Sequence, residues 1–451
     1  MPGGGPKTPR SPLPTRGGPV NDVPDGFKMT ELGPLPEDWD VVKLDDVGKI
    51  ITGKTPSTTV PEYYGGPYMF ISPGDINTNK YVISTQKWLS ERGLEVSKSL
   101  PVDTVLVVCI GATIGKVAMT HAGKSATNQQ INAIISDEHT DPQYLYYTLS
   151  HRSTELPSLA GRAAIPIVNK STFAKFSISY PPFSEQQSIA RVLSSVQEAR
   201  EKTEAAIEAT RALKMSMMKH LFTYGPAPLQ EVDKVSLKET EIGMVPKEWD
   251  IIRCEDLCKT ITVGIVVRPS SYYVPKGVLA FRSFNIREDY LNLKDLVFIS
   301  EVDNQSKLAK SRLQKDDVLI VRTGYPGTAC VVPQKFEGAN CIDLVIARPN
   351  QDTIRSHYLS RFFNSKAGKD QSSASETGMA QKHLNVGAVK RTLIPLPSLA
   401  EQQQIVEILS SVDRKIEAQE TKKAALDSLF QTLLQNLMTA KIRVNHIEAC
   451  V

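Results

Sequence analysis

The chain lacks most of what marks a membrane protein, a secreted protein or a metalloenzyme. No stretch approaches eighteen consecutive apolar residues, so no membrane-spanning helix is expected. The first 28 residues are rich in Gly and Pro and carry no apolar core, which predicts a disordered leader and no signal peptide. Of the six cysteines none forms a CxxC pair. Cys254 and Cys258 lie closest, with a spacing wrong for the common zinc knuckles, so free thiols in a reducing cytoplasm are expected. The seven histidines are scattered without an HExxH or HxH pair, and no metal site is expected. A glycine-rich cofactor loop opening a βα unit is also missing.

Two short runs look like fragments of catalytic motifs, and both fail. YPPF (180–183) is similar to the motif with which amino-methylating DNA methyltransferases hold their target, two prolines between an Asn or Asp and an aromatic. The first residue there must offer an acceptor amide or carboxylate, whereas Tyr180 offers a hydroxyl on a long ring, and the second copy reads LPSL (396–399). The prolines are read instead as ending a strand and turning the chain. GATIGK (111–116) is one residue short of a phosphate loop and is followed by Val117, not Ser or Thr. Its glycines fit a tight turn between strands. No active site is expected in this chain.

What is present is a duplication. ELGPLPEDWDVVKLDDV (31–47) returns as EIGMVPKEWDIIRCEDL (241–257), DTVLVVCIGATIG (103–115) as DDVLIVRTGYPG (316–327), and FSEQQSIARVLSSV (183–196) as LAEQQQIVEILSSV (399–412). The offset grows only from 210 to 216. Two copies are too few for a solenoid and predict two similar halves. Each half opens with a mixed segment in which β-rich runs such as TVLVVCI and DVLIVRT alternate with turns. A helix is expected near its end, after Asp141-Pro142 and over 353–366.

A long helix follows in each half. Positions 405, 409, 412, 416, 419, 423, 426, 430, 433 and 437 keep a 4-3 alternation, and eight of the ten are apolar. The first-half series, 189 to 221, is apolar at six of ten. Ser184-x-x-Gln187 and Ser398-x-x-Glu401 read as capping boxes. A heptad stripe of this length wants a helical partner, and the simplest partner is the other copy. About 38 residues at 1.5 Å each give a rod of roughly 57 Å. The expected division is a leader 1–28, a first domain 29–182, a first long helix 183–224, a linker 225–239, a second domain 240–398, a second long helix 399–440 and a tail 441–451.

With the parts in this order, the sequence resembles the specificity subunit of type I restriction–modification systems, over nearly the whole chain from residue 31. The motifs that carry the resemblance are PxxW (36–39 and 246–249), GKTPS (53–57) with YYGG (63–66), GATIGKV (111–117), and the proline–EQQ–I–L junction in both halves. GIVVRPSS (264–271) stands in the second half where the first has GKTPS, so that motif is not shared. The resemblance implies a mixed α/β (α+β) chain with two tandem target-recognition domains separated by two long antiparallel coiled-coil helices, a pseudo-twofold internal repeat. Each domain would read one half of a bipartite target in double-stranded DNA. Two modification (methylase) subunits would dock on the chain and methylate adenine with S-adenosylmethionine, and restriction (translocating nuclease) subunits would join them. The chain itself would hold no cofactor. A coiled-coil scaffold for proteins, and a fused methylase or nuclease with degenerate motifs, are the rival readings.

Charge supports the resemblance unevenly. The chain is only +4, but residues 240–396 are net +5, and 30–184 are net −2. Six acids of the first segment fall in 31–46, and are expected to face away from DNA. Base reading needs paired donors or acceptors on side chains held by turns. The residues that meet this description are Lys54, Thr55, Ser72, Asn77, Lys80, Lys87 and Lys170 in the first domain, and Arg268, Arg282, Asn285, Arg287, Arg322, Tyr325 and Lys382 in the second. Asn128, Gln129 and Gln130 have a competing role as turn residues, and Trp39 and Trp249 are expected core anchors.

Overall fold

The computed structural model describes residues 23–77, 79–121, 123–161, 164–374 and 383–444. The chain divides into two compact units, Met1–Thr203 with Lys422–Val451, and Glu204–Thr421. Of the leader expected over 1–28, residues 1–22 lie outside the described residues, as do 445–451 of the expected tail. Phe27 already belongs to a strand, so regular structure begins before residue 29.

In the first unit β1 (Phe27–Thr30) pairs antiparallel with β2 (Gly33–Pro36). There follow β3 (Asp40–Lys43), β4 (Gly48–Thr52), β5 (Tyr64–Ile71), β6 (Tyr81–Val82), β7 (Lys87–Leu89) and helix α1 (Glu91–Val96). Next come β8 (Val105–Val108), β9 (Val117–Thr120), β10 (Ser125–Thr127), β11 (Ile131–Ser136), α2 (Pro142–His151), α3 (Lys170–Ala174) and β12 (Ser177–Tyr180). The main sheet has the order β4-β11-β8-β9-β6, and a smaller one the order β10-β5-β7. β8 reads VLVV and is buried throughout because both faces of its sheet are covered. Val105 and Val107 enter the cluster built around Trp39, Tyr144 and Tyr147, whereas Leu106 and Val108 enter one with Met69, Ile71 and Ile76.

The second unit repeats this plan with its own β13 (Leu237–Thr240), β14 (Gly243–Pro246), β15 (Asp250–Arg253), α5 (Cys254–Leu257), β16 (Cys258–Val263), β17 (Tyr273–Val274) and β18 (Val278–Phe281). It continues through β19 (Ile286–Arg287), β20 (Tyr290–Leu291), β21 (Val297–Ile299), α6 (Glu301–Gln305), β22 (Val318–Val321), β23 (Ala329–Val331), β24 (Asn340–Cys341) and β25 (Leu344–Pro349). Helices α7 (Ser356–Asn364), α8 (Lys366–Ala374) and α9 (Val386–Arg391) and strand β26 (Leu393–Leu396) close the domain. Its two larger sheets are β16-β25-β22-β23 and β17-β21-β18-β24. β22, reading VLIV, alternates as β8 does: Val318 and Ile320 face one cluster, Leu319 and Val321 another.

The duplicated motifs interlock within each unit. Trp39 is fully buried and donates its Nε1 hydrogen to Glu185 Oε2 at 3.0 Å, and Trp249 donates to Glu401 Oε1 at 3.4 Å. Gln186 and Gln402, both fully buried, act as clips. Gln186 Nε2 donates to the Pro181 carbonyl and its Oε1 accepts from the Asp141 amide; Gln402 does the same with Pro397 and Arg355, all within 2.8–3.0 Å. The EQQ motif therefore joins the end of the last strand to the start of α2 or α7. Asp141 caps α2 by accepting from the Gln143 and Tyr144 amides, with Pro142 at the first helical position. YPPF is part of the same junction. Tyr180 donates its hydroxyl to the His139 carbonyl at 2.8 Å, and the prolines launch the long helix.

Helix α4 (Phe183–Tyr224) begins in the first unit and ends in the second, and α10 (Leu399–Met438) does the reverse. The Ser398–Glu401 capping box forms, with Glu401 Oε2 accepting from the Ser398 amide at 3.1 Å. The box expected at Ser184 does not, because α4 already starts at Phe183. In the first unit Arg200 meets Asp427 at 2.6 Å; in the second Arg211 meets Glu420 at 2.6 Å and Lys214 meets Asp413 at 2.7 Å. Within the second unit, rising numbers on α4 therefore face falling numbers on α10. Asp413 also holds the buried Arg361 of α7 at 2.5 Å. The ends of the heptad stripes enter domain cores: Ile405 and Leu409 beside Trp249, and Phe430 and Leu437 beside Trp39.

Candidate nucleic-acid interface

Five hydrogen bonds recur at the same places in both domains and fix a common frame. Gly53 donates its amide to Ile131 as Gly264 does to Leu344, at 3.1 and 2.8 Å. Asn128 donates to Ile71 as Ile342 does to Phe281, at 3.1 and 2.7 Å. Val168 donates to Cys109 as Leu384 does to Arg322, at 2.8 and 2.9 Å. The Ser72 amide donates to Asp75 Oδ2 and the Arg282 amide to Asn285 Oδ1, at 2.8 and 2.9 Å. Asn169 caps α3 and Asn385 caps α9. The frame also explains the paired glycines. Gly111 and Gly115, between β8 and β9, have φ of +97° and +95°; Gly324 and Gly327, between β22 and β23, have +93° and +80°.

On this shared frame the side chains differ. In the second domain a polar cluster forms where β22 ends. Arg322 donates Nη1 to Asp343 Oδ1 at 2.6 Å and Nε to the Leu384 carbonyl at 3.2 Å, and its Nη2 contacts His383 Nε2. Thr323 Oγ1 lies 2.9 Å from His383 Nδ1, and these two residues form a β-bridge. Beside the cluster lies a depression lined by Arg282, Ser283, Phe284, Asp295, Ile342 and Asp343. Tyr325, on the tip of the glycine turn, is 79% exposed. Arg287 places its guanidinium 4.9 Å from the Phe284 ring. Arg268 is exposed with φ of +43°, three residues after Ile265, whose carbonyl accepts from the Asp343 amide at 3.1 Å.

The first domain carries Cys109, Ile110 and Ile167 at the places of Arg322, Thr323 and His383, with Ile110 and Ile167 likewise bridged. Ser72 stands for Arg282 and donates Oγ to Asp75 Oδ2 at 2.6 Å. Thr55 donates its hydroxyl to Gln129 Oε1 at 2.5 Å, and Asn128 Nδ2 donates to Gln130 Oε1 at 2.9 Å, which ties the three polar turn residues to the GKTPS loop. Lys54 is exposed beside them, its amide bonded to the Thr127 carbonyl. Asn77, Lys87 and Lys170 are exposed as well, Lys170 as the first residue of α3.

Two expected residues serve the interior instead. Lys80 is 4% exposed, and its Nζ donates to Gln143 Oε1 at 2.8 Å and Ser194 Oγ at 3.1 Å. Burial pushes its pKa down to about 8. Asn285 is fully buried and donates Nδ2 to the Asn292 and Lys294 carbonyls, so it shapes the turn that holds Arg282. Lys382 lies outside the described residues. The acidic opening is partly neutralised: Arg443 holds Asp38 Oδ2 at 2.6 Å and Glu185 Oε1 at 2.7 Å, which keeps the Asp38 carboxyl below the usual range. Asp343, His383, Asp295 and Phe284 escaped the sequence reading. The aligned runs LVVCIG (106–111) and LIVRTG (319–324) set Cys109 against Arg322, a contrast that could have pointed to the cluster.

Two domains with one backbone frame and different polar faces define a protein that presents two distinct recognition surfaces. The model of the type I restriction modification DNA specificity domain matches residues 36–209 and again 246–428, and the chain belongs to this family. It is similar to the MjaVIII type I restriction enzyme specificity subunit of Methanocaldococcus jannaschii, 25% identical over 435 residues, 94% of this chain and 97% of that protein. The EcoKI specificity subunit of Escherichia coli is 22% identical over 399 residues, 83% of this chain and 82% of that one. Among solved structures, the type I restriction-modification S subunit from M. genitalium superposes with a TM-score of 0.58 at 16% identity, covering 88% of this chain and 96% of that one. No helix among the described residues is long and apolar enough to cross a membrane.

Proposed function

We infer that this chain is the DNA-reading subunit of a type I restriction–modification complex and performs no catalysis itself. The observation that carries the reading is the tandem match to one DNA specificity domain, joined to a shared frame whose side chains differ between the copies. A single reader used twice with the same residues would recognise a repeated sequence; different residues on one frame recognise two unlike half-sites. Partner modification subunits supply S-adenosylmethionine and transfer its methyl group to adenine, and restriction subunits join for cleavage. The two domains then fix where on the duplex that chemistry falls.

The test is to assemble the full chain with its modification subunits and map methylated adenines across a genome or a random library. A bipartite motif with two unlike halves is expected. Replacing residues 240–398 by the second domain of a relative should change one half only. Methylation by this chain alone, or a single undivided motif, would refute the reading.

A further inference from the structure

We propose that the depression of the second domain reads a G·C base pair, with Arg282 facing guanine and Asp343 facing its cytosine. This rests on the DNA-reading function above and names what one site recognises. Arg282 is anchored at one end only: its Nη2 donates to the Asp295 carbonyl at 2.6 Å, while its buried Nε has no partner. Its backbone is fixed by Asn285 and its Nη2 by Asp295, so the guanidinium stands in a defined place, and its Nη1 end, not the buried Nε, is what it offers a ligand. Asp343 has the complementary surplus. Oδ1 accepts from Arg322 at 2.6 Å, but Oδ2 has only a long 3.5 Å contact from Thr323.

Both acidic residues around the depression sit on left-handed backbone, Asp343 at φ +51° and Asp295 at +50°. Aspartate takes up this conformation more readily than most residues, and the two turns it makes here leave the Arg282 guanidinium and the Asp343 carboxylate on the lining of one depression. In the major groove only guanine offers two acceptors, O6 and N7, on one edge, which a guanidinium fork can take together. The paired cytosine offers an amino donor next to them, which suits a carboxylate. An A·T pair instead places its amino donor between two single acceptors and adds a methyl group, so it satisfies neither side chain as well. The first domain has Ser72 in place of Arg282, with its hydroxyl already spent on Asp75, so the inference is confined to the second half-site.

The test selects duplexes from a randomised bipartite library with the full chain assembled with its modification subunits. The wild-type complex should enrich a second half-site with at least one fixed G·C position. Arg282→Ala and Asp343→Asn should each relax that same position by roughly ten- to hundredfold, with the first half-site and the other second-half positions kept. Arg282→Lys, which keeps the charge without the fork, should fall between. Retention of the first half-site shows that each variant is folded and bound. A second half-site without a G·C position, or unchanged discrimination in both variants, overturns the proposal and leaves DNA reading intact. No enrichment of either half by the wild type would overturn DNA reading as well.

Discussion

The ammonium of Lys80 lies within 6 Å of three tyrosine rings, Tyr81, Tyr146 and Tyr147, and its hydrogen-bond partners Gln143 and Ser194 also bond each other. Asp103, Asp141, Glu198 and Glu201 favour its charge, but desolvation outweighs them, and the pKa falls to about 8. In the unfolded chain a lysine titrates near 10.4. Between the two values the unfolded state binds more protons, so stability rises with pH across that window. Wild type should therefore gain on Lys80→Met from about pH 8 to about pH 10, measured as urea midpoints. A difference flat across this range would mean a solvated lysine. Arg443 shows the opposite arrangement. It compensates Glu185, whose side chain is 2% exposed, and Arg443→Ala should cost about 2–3 kcal/mol by denaturant titration, less than a wholly buried pair because Arg443 is partly solvated. Neither role was legible in the sequence. A lysine before YVIS and an arginine in a tail carry no local pattern that distinguishes burial from exposure, and both acquire their hydrogen-bond partners from residues more than sixty positions away.

At the scale of single elements the sequence was more informative, because turns and caps are decided by a few neighbouring residues. Asp141-Pro142 announced α2, and the glycines of GATIG and GYPG announced the connections from β8 to β9 and from β22 to β23. The Ser184 cap misled because the preceding prolines, not the serine, decide where the helix starts. The two glycine turns make distinguishable predictions. A Cβ on Gly115 would lie 2.4 Å from the Ser153 carbonyl oxygen, so Gly115→Ala must move backbone. It should cost about 3 kcal/mol or more, of which roughly 1–2 is the left-handed conformation itself. A Cβ on Gly327 would instead meet the Ser372 side chain, Oγ at 2.5 Å and Cβ at 2.8 Å. Ser372→Gly removes that obstacle. Thermal unfolding of Gly327→Ala, Ser372→Gly and the double variant should show favourable coupling of about 1 kcal/mol, and strict additivity would place the clash elsewhere.

For the molecule as a whole, the duplication and the two long helices could be read from repeated words and from a 4-3 apolar stripe. The way the stripe is used could not. It names a face and is silent about its partner, and both ends of each helix turn out to belong to different compact units: α4 contributes Ile189 and Leu193 to one core and Leu221 and Phe222 to another. The proposed function makes a helix shared in this way a spacer between two half-sites. Seven residues inserted after Thr203 in α4 and after Thr421 in α10 fall where the units divide. A seven-residue step nearly preserves the phase of the apolar face, about 20° of drift per heptad, and because it is made in both helices their opposed pairing is kept. Each rod grows by about 10 Å at 1.5 Å per residue. At 3.4 Å per base pair this is about three base pairs. Methylation mapping of the assembled variant should therefore return the same two half-sites with a spacer longer by about three. The same half-sites at the original spacing would mean that something other than the helices sets the gap, whereas loss of both half-sites would show only that the longer rods no longer support binding.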